Sequence, residues 1–320
     1  MRDTILFGDC RETLKEFDEK ARMCVTSPPY YGLRDYGGED NQIGQEQTPE
    51  EFIEQLVSVF REVKNVLTDD GTCWVNLGDS YYNYRPGKGQ ALVKQSVSKT
   101  KQDLPDKCAK RANKLEGLKE KDLIGIPWMF AFAMRNDGWY LRQDIIWHKP
   151  NPMPESVRDR CTKSHEYIFL FSKNKKYFYD NEAIKEPAKD WGTRDRTNGK
   201  YHNTGTGLAP HSGLSKSYPT KNKRSVWSVT NKPYREAHFA TYPPDLIEPC
   251  IKAGSQEGDT ILDPFMGAGT TAAVAKSLNR YYIGCELNED YGNLIQKRIQ
   301  DYQPVKKVAQ EPTINILDLI

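Results

Sequence analysis

The chain has 320 residues, 37% hydrophobic and 28% charged, with 46 basic against 44 acidic side chains. That length holds one large α/β domain with an appendage, or two modest domains, and the apolar share suffices for a core inside a very polar protein. Seven cysteines without a CxxC pair supply neither a disulfide framework nor a zinc site. With no signal peptide and no long apolar span, the sequence predicts a soluble, cytoplasmic protein with no metal and no membrane.

In chain order, Thr4–Phe7 predicts a strand, Gly8-Asp9-Cys10 a turn and Arg11–Phe17 a short amphipathic helix. Ala21–Val25 predicts a buried strand ending at Thr26-Ser27-Pro28-Pro29-Tyr30; two successive prolines cannot extend a ladder or a helix, so the chain must leave the sheet there. After a Gly-, Asp- and Gln-rich loop, Thr48-Pro49-Glu50-Glu51 starts a helix that runs to about Asp70-Gly71, and Thr72–Leu77 is the next strand. Arg85–Asp122 is lysine-rich and poor in large apolar residues, a loop or excursion from the core. Ile126–Met134 predicts a helix, Trp139–Trp147 and Glu166–Phe171 strands, and Thr193–Asn222 surface loops. The C-terminal part predicts a helix from Tyr242 to Lys252, a strand over Thr260–Leu262, a glycine turn and helix, a strand over Tyr281–Cys285, and a last helix after Asn288. Strands alternating with helices predict an α/β fold with a doubly wound, mostly parallel sheet.

Charge is unevenly spread. Arg85–Asp122 holds 11 basic and 5 acidic residues and Arg142–Arg235 holds 19 and 9, leaving 16 and 30 elsewhere. Basic segments on an acidic body suit a polyanion held on one side.

Two strings carry chemistry. In Asp263-Pro264-Phe265-Met266-Gly267-Ala268-Gly269-Thr270-Thr271 the glycines permit a tight strand-to-helix turn and close backbone approach to a ligand. Glu286, about 20 residues further on, ends the next strand, where a carboxylate can accept from both ribose hydroxyls. The turn lacks the third glycine of the dinucleotide pattern and the lysine of a P-loop, so the string fits an adenosine ligand better than NAD or ATP. In the second string the Ser27 hydroxyl and a carbonyl at Pro28 can accept both hydrogens of an aromatic amine. That favours a tetrahedral nitrogen with its lone pair free, while Pro29 preorganises the backbone and Tyr30 offers a face to an extruded base.

Taken together, these strings resemble the β-class amino-methyltransferases of DNA, found in restriction–modification systems and phages. Gly8-Asp9-Cys10, Val75–Asp79, Trp147–Pro152, His165-Glu166 and His238–Pro244 also look like stretches of that family. The resemblance implies an S-adenosyl-L-methionine-dependent, Rossmann-like methyltransferase fold with an inserted target-recognition region. It divides the chain into a catalytic half over 1–84, a basic loop or excursion over 85–122, a continuation of the catalytic domain over 123–173, a target-recognition region over 174–235 and a cofactor-binding half over 236–320. It implies Ser27, Pro28, Pro29 and Tyr30 at the target amine. Asp9, Thr26, Ala240, Thr241, Asp263, Pro264, Phe265, Gly267, Gly269, Thr270, Thr271 and Glu286 would surround the cofactor. The partners it implies are double-stranded DNA with a flipped base and a cognate restriction endonuclease. A serine at position 27 goes mostly with cytosine N4 in that family and an aspartate mostly with adenine N6, so the expectation is cytosine N4 with adenine N6 as the alternative. A DNA-binding protein that keeps the fold without the reaction is the alternative of another class.

Overall fold

The computed structural model describes residues 2–32, 42–82, 115–188, 219–231 and 241–304. In chain order the elements are β1 (Thr4–Phe7), α1 (Cys10–Thr13), β2 (Ala21–Thr26), α2 (Pro49–Val66), β3 (Leu67–Leu77), α3 (Ile126–Asn136), β4 (Tyr140–His148) and β5 (His165–Ser172). They continue as β6 (Glu186–Pro187), β7 (Thr220–Lys221), β8 (Val226–Ser228), α4 (Pro244–Gly254), β9 (Thr260–Asp263), α5 (Thr270–Ser277), β10 (Tyr281–Glu286) and α6 (Tyr291–Asp301).

Eight strands form one sheet in the order β1-β10-β9-β2-β3-β5-β4-β8, and β6 pairs with β7 apart from it. All pairs of the main sheet are parallel except β3 with β5 and β4 with β5. Helices cover both faces. On one, Phe52, Leu56 and Phe60 of α2 pack with Phe130 and Met134 of α3; on the other, Leu246 and Ile251 of α4 pack with Ala272 and Val274 of α5 and Ile295 of α6. This is the doubly wound α/β arrangement the alternation predicts.

The local chemistry explains the best-defined helix. Thr48 accepts from Glu51 N (3.2 Å), the Glu51 carboxylate accepts from Thr48 N (3.2 Å), and Pro49 takes the first helical position; a reciprocal capping box satisfies two otherwise orphaned donors. The helix stops earlier than Asp70-Gly71, however. Leu67 is already extended, and β3 takes up Leu67–Gly71 as well as Thr72–Leu77. The polar residues that suggest a break sit inside a strand because Asp70 faces the Arg22 guanidinium at 2.5 Å and Gly71 lies where a side chain would meet the Thr68 carbonyl at 2.9 Å. Arg11–Phe17 is likewise only a four-residue helix with a 3₁₀ turn at Leu14–Glu16, enough to bury Leu14 and Phe17.

Of the basic excursion over 85–122, residues 85–114 lie outside the described residues. Its end returns to the chain just before it: Tyr82 N donates to Asp122 O (2.8 Å) and Lys121 N to Tyr82 O (2.8 Å). Within the basic region after Asn174, β8 runs parallel to β4 and extends the main sheet. Among the described residues no helix is long and apolar enough to cross a membrane, no cluster of His, Cys, Asp or Glu could hold a metal ion, and the cysteines are free. Cys108 lies outside them.

Candidate functional site

From β9 the chain passes through α5 to β10 on one side; from β2 it passes through α2 to β3 on the other. The winding reverses between β9 and β2, which are neighbours through Met23↔Ile261 and Cys24↔Leu262. In open α/β sheets the ligand crevice forms outside the carboxyl ends of the strands at such a reversal. The two strings singled out in the sequence are the two segments leaving those strand ends.

They are joined directly. Thr26 Oγ1, the last residue of β2, donates to Asp263 Oδ1 at 2.5 Å across 237 positions of sequence. Asp263 is 1% exposed, and its carboxylate also accepts from Phe265 N (3.0 Å), the Tyr242 hydroxyl (3.0 Å) and Thr271 Oγ1 (2.5 Å). Burial pushes the carboxyl above the ordinary aspartate value while these donors pull it back. A carboxylate offers about four lone-pair directions; with four donors engaged, Asp263 ties β2, β9, α5 and Tyr242 together behind the crevice. Tyr242, pushed upward by burial and by the Asp263 charge, also meets Thr271 through its hydroxyl.

The glycine turn presents its backbone beside this clamp. Gly267 and Gly269 adopt φ of 53° and 80°, the left-handed region that favours glycine. At Gly269 a Cβ would also lie 2.9 Å from Ile295 of α6. Glu286 at the end of β10 accepts from Gly267 N (2.7 Å) and Asn288 N (3.1 Å). It is 9% exposed, and burial raises its carboxyl above the ordinary glutamate value against those hydrogen bonds. Leu287 N also donates to it, and a carboxylate with about four lone-pair directions keeps acceptor capacity beyond these three backbone donors. Asp9, at the end of β1, caps α1 by accepting from Arg11 N (2.9 Å). Burial alone would raise its carboxyl, but the Arg11 guanidinium at 2.5 Å holds it below the usual range. Thr26, Asp263, Pro264, Gly269, Thr270 and Thr271 are buried, with Phe265, Gly267 and Thr241 half-buried. Ala240 lies outside the described residues, as does His238.

On the other side of β2, Ser27 is half-buried, Pro28 buried, and Pro29 and Tyr30 half-buried. Tyr30 opens onto a cavity of about 290 Å³ whose wall includes Tyr31, Gly78, Asp79, Lys149, Lys163 and Glu166. Asp79 caps α3 by accepting from Gly125 N (3.0 Å) and Ile126 N (3.2 Å). Lys163 donates to the Asp79 carbonyl (3.2 Å), and burial lowers its ammonium despite the attraction of Asp79 and Glu166. Sequence reasoning assigned no role to Tyr242, Asn76, Lys149 or Glu166. All four fall inside strings already singled out, Val75–Asp79, Trp147–Pro152, His165-Glu166 and His238–Pro244, yet none carries a recognisable spacing of its own.

A family model of DNA methylases, of the N6/N4 amino-methyltransferase type, matches residues 21–297. The chain belongs to this family. It is 46% identical over 302 residues to the type II methyltransferase M.XycI of Xanthomonas campestris pv. cyanopsidis, covering 94% of this chain and 89% of that protein. To M.SmaI of Serratia marcescens it is 46% identical over 301 residues, covering 92% and 90%. Among solved structures, the cytosine-N4-specific PvuII DNA methyltransferase superposes with a TM-score of 0.62 at 18% identity, over 95% of this chain and 88% of that one. TTHA0409 of Thermus thermophilus, in complex with S-adenosyl-L-methionine, superposes with a TM-score of 0.56 at 22% identity, over 92% of each. At these identities the two structures establish the fold: the methyltransferase type of doubly wound sheet.

Proposed function

We propose that this DNA methylase transfers the methyl group of S-adenosyl-L-methionine to N4 of a cytosine turned out of double-stranded DNA. The observation that carries the reading is the 2.5 Å bond from Thr26 to Asp263. It fixes the segment beginning at Ser27 beside the glycine turn, so a cofactor in one and an amine in the other would be adjacent.

The crevice suits that cofactor. Glu286 keeps open acceptor capacity for ribose hydroxyls, Phe265 offers a half-buried ring, and the turn brings backbone but no cation. A nucleoside without phosphates fits such a lining better than NAD or ATP. Bound there, S-adenosyl-L-methionine supplies an electrophilic methyl on a sulfonium. The protein does the rest by positioning. Ser27 Oγ and the Pro28 carbonyl accept the two amine hydrogens and turn the nitrogen lone pair away from the ring. Pro29 holds those acceptors in place, and Tyr30 stacks on the extruded base. Alignment of nitrogen, methyl and sulfur provides most of the acceleration. What supports cytosine over adenine is the serine at position 27.

The count of basic residues between Arg142 and Arg235 suits phosphate contacts. Duplex DNA in the cytoplasm is the partner this reading requires, and a cognate restriction endonuclease the partner it implies.

Nucleoside mass spectrometry on DNA from cells expressing the chain tests the proposal, with Ser27→Ala as control. N4-methylcytosine that disappears in the control is the expected result. N6-methyladenine would replace the base and keep the site. DNA binding with neither modified base would favour a binding protein on the same fold.

A further inference from the structure

His165-Glu166, at the start of β5, stands out in the sequence and has no part in the cofactor crevice. In the structure the Glu166 carboxylate is where the target side of the site converges. It accepts from the Tyr30 hydroxyl at 2.8 Å, from Asn76 Nδ2 at 3.2 Å and from the Lys149 ammonium. These groups come from the segment after β2, from β3 and from the end of β4. Glu166 and Lys149 are 14% and 17% exposed in their side chains.

We infer that Glu166 is a positioning residue for methyl transfer: its carboxylate, held by Lys149, sets the ring of Tyr30 in the one orientation that receives the base. The inference rests on the reading of Tyr30 as the stacking surface. A second, independent observation points the same way. A Cβ on Gly78 would lie 2.7 Å from Tyr30 Cε2 and 3.2 Å from the Glu166 carboxyl carbon. The wall is therefore glycine where the Tyr30 ring and the Glu166 carboxylate both press against it, and anything larger would push them apart. The ring is gripped at its edge by Gly78 and at its hydroxyl by Glu166.

Energetics favour a positioning role over a stabilising one. Withdrawing an ion pair from water is costly, and apolar residues of the same volume usually serve stability as well or better. The pair here faces the cavity that Tyr30 also lines. A ring already fixed incurs no ordering cost when the base arrives, and small misplacements at a reacting centre cost rate steeply. Asn76, which also donates to the Tyr167 carbonyl (3.0 Å), anchors the same carboxylate to the sheet.

The test uses the full chain and a duplex of its own recognition sequence with 2-aminopurine next to the target base. Glu166→Gln, Tyr30→Phe and the double variant are compared. Expected is a fall in kcat of about 10-fold or more for each single variant, with the double variant no worse than the poorer single one. Affinities for the duplex and for S-adenosyl-L-methionine should stay within about twofold, and the 2-aminopurine signal should show the base leaving the stack but poorly held. Effects that multiply in the double variant would overturn the inference, as would an unchanged kcat for Glu166→Gln. Should Glu166→Gln not fold, Lys149→Met in the same cycle with Tyr30→Phe decides by the same criterion. Methylation by the wild-type chain separates the two ideas: if the wild type methylates and Glu166→Gln matches it, only this inference fails; if the wild type does not methylate, the reading of the site itself fails.

Discussion

The two sides of the crevice each depend on carboxylates, and they use them in opposite ways. Beside the glycine turn Asp263 is 1% exposed, and neutral hydroxyls and one amide take all its acceptor directions. Beside Tyr30 Glu166 is paired with an ammonium and stands at the wall of an open cavity. The first is a structural clamp whose loss should unfold; the second orients a ring and should show in rate. Conspicuous residues thus divide into those closed off inside the fold and those that face the cavity, and solvent contact separates them.

Substitutions on either side test that contrast. Asp263→Ala should have the largest effect. It strands buried donors that each cost about 1–3 kcal/mol when unmet, so thermal unfolding should record a loss of about 3 kcal/mol or more together with loss of methylation. Ser27→Ala should leave unfolding unchanged and lower kcat by about 100-fold, the scale of one lost preorganised polar contact; unchanged turnover would remove Ser27 from the site. Gly269→Ala forces a side chain into left-handed backbone at about 1–2 kcal/mol and into Ile295 besides, which a shifted urea midpoint would register.

Glu286→Gln should weaken S-adenosyl-L-methionine binding about 10-fold by calorimetry, the equivalent of one charge-assisted hydrogen bond. It should also remove a pH dependence. Because burial raises the Glu286 carboxyl, cofactor affinity that needs the ionised form should fall on acidification at a pH above the ordinary glutamate value. Its effect on folding has the opposite sign. With the folded value above the unfolded one, this group's contribution is fully present below the unfolded value and is lost as pH rises through the folded value. The smallest effect belongs to Thr48→Ala, far from the crevice, where loss of the capping box should cost about 1 kcal/mol and leave methylation unchanged.

Much of this was legible in the sequence. The strand–turn–helix around Gly267 and Gly269 and the proline exit after Thr26 announce themselves because few residues satisfy their backbone demands. Residues beyond the turn were harder. Glu286 could be placed only by distance along the chain, and nothing in the spacing shows that Asp263 would be spent internally. The antiparallel β4–β5 pair beside β3 was invisible to the alternation rule, since helix-free connections leave no periodic mark. Asp70-Gly71 misled because polar, small residues signal a stop only when no partner waits for them, and Arg22 does. Glu166 escaped for a related reason: its partners Tyr30, Asn76 and Lys149 are 136, 90 and 17 positions away, separations that no local pattern encodes.

The pairing of β2 with β9, and of β1 with β10 through Thr4↔Ile283 to Phe7↔Glu286, has a consequence for biosynthesis. β1 and β2 leave the ribosome before β10 and β9, the strands with which they pair. At roughly 5–20 residues per second, the strands that complete them follow on the order of 10–50 s later. Contacts this distant in sequence close late and slowly, so a nascent chain holds the segment that begins at Ser27 long before it holds the glycine turn that lies beside it. Among the described residues the crevice is complete only once β9 and β10 have joined the sheet, and a chain cut short before them carries no assembled site.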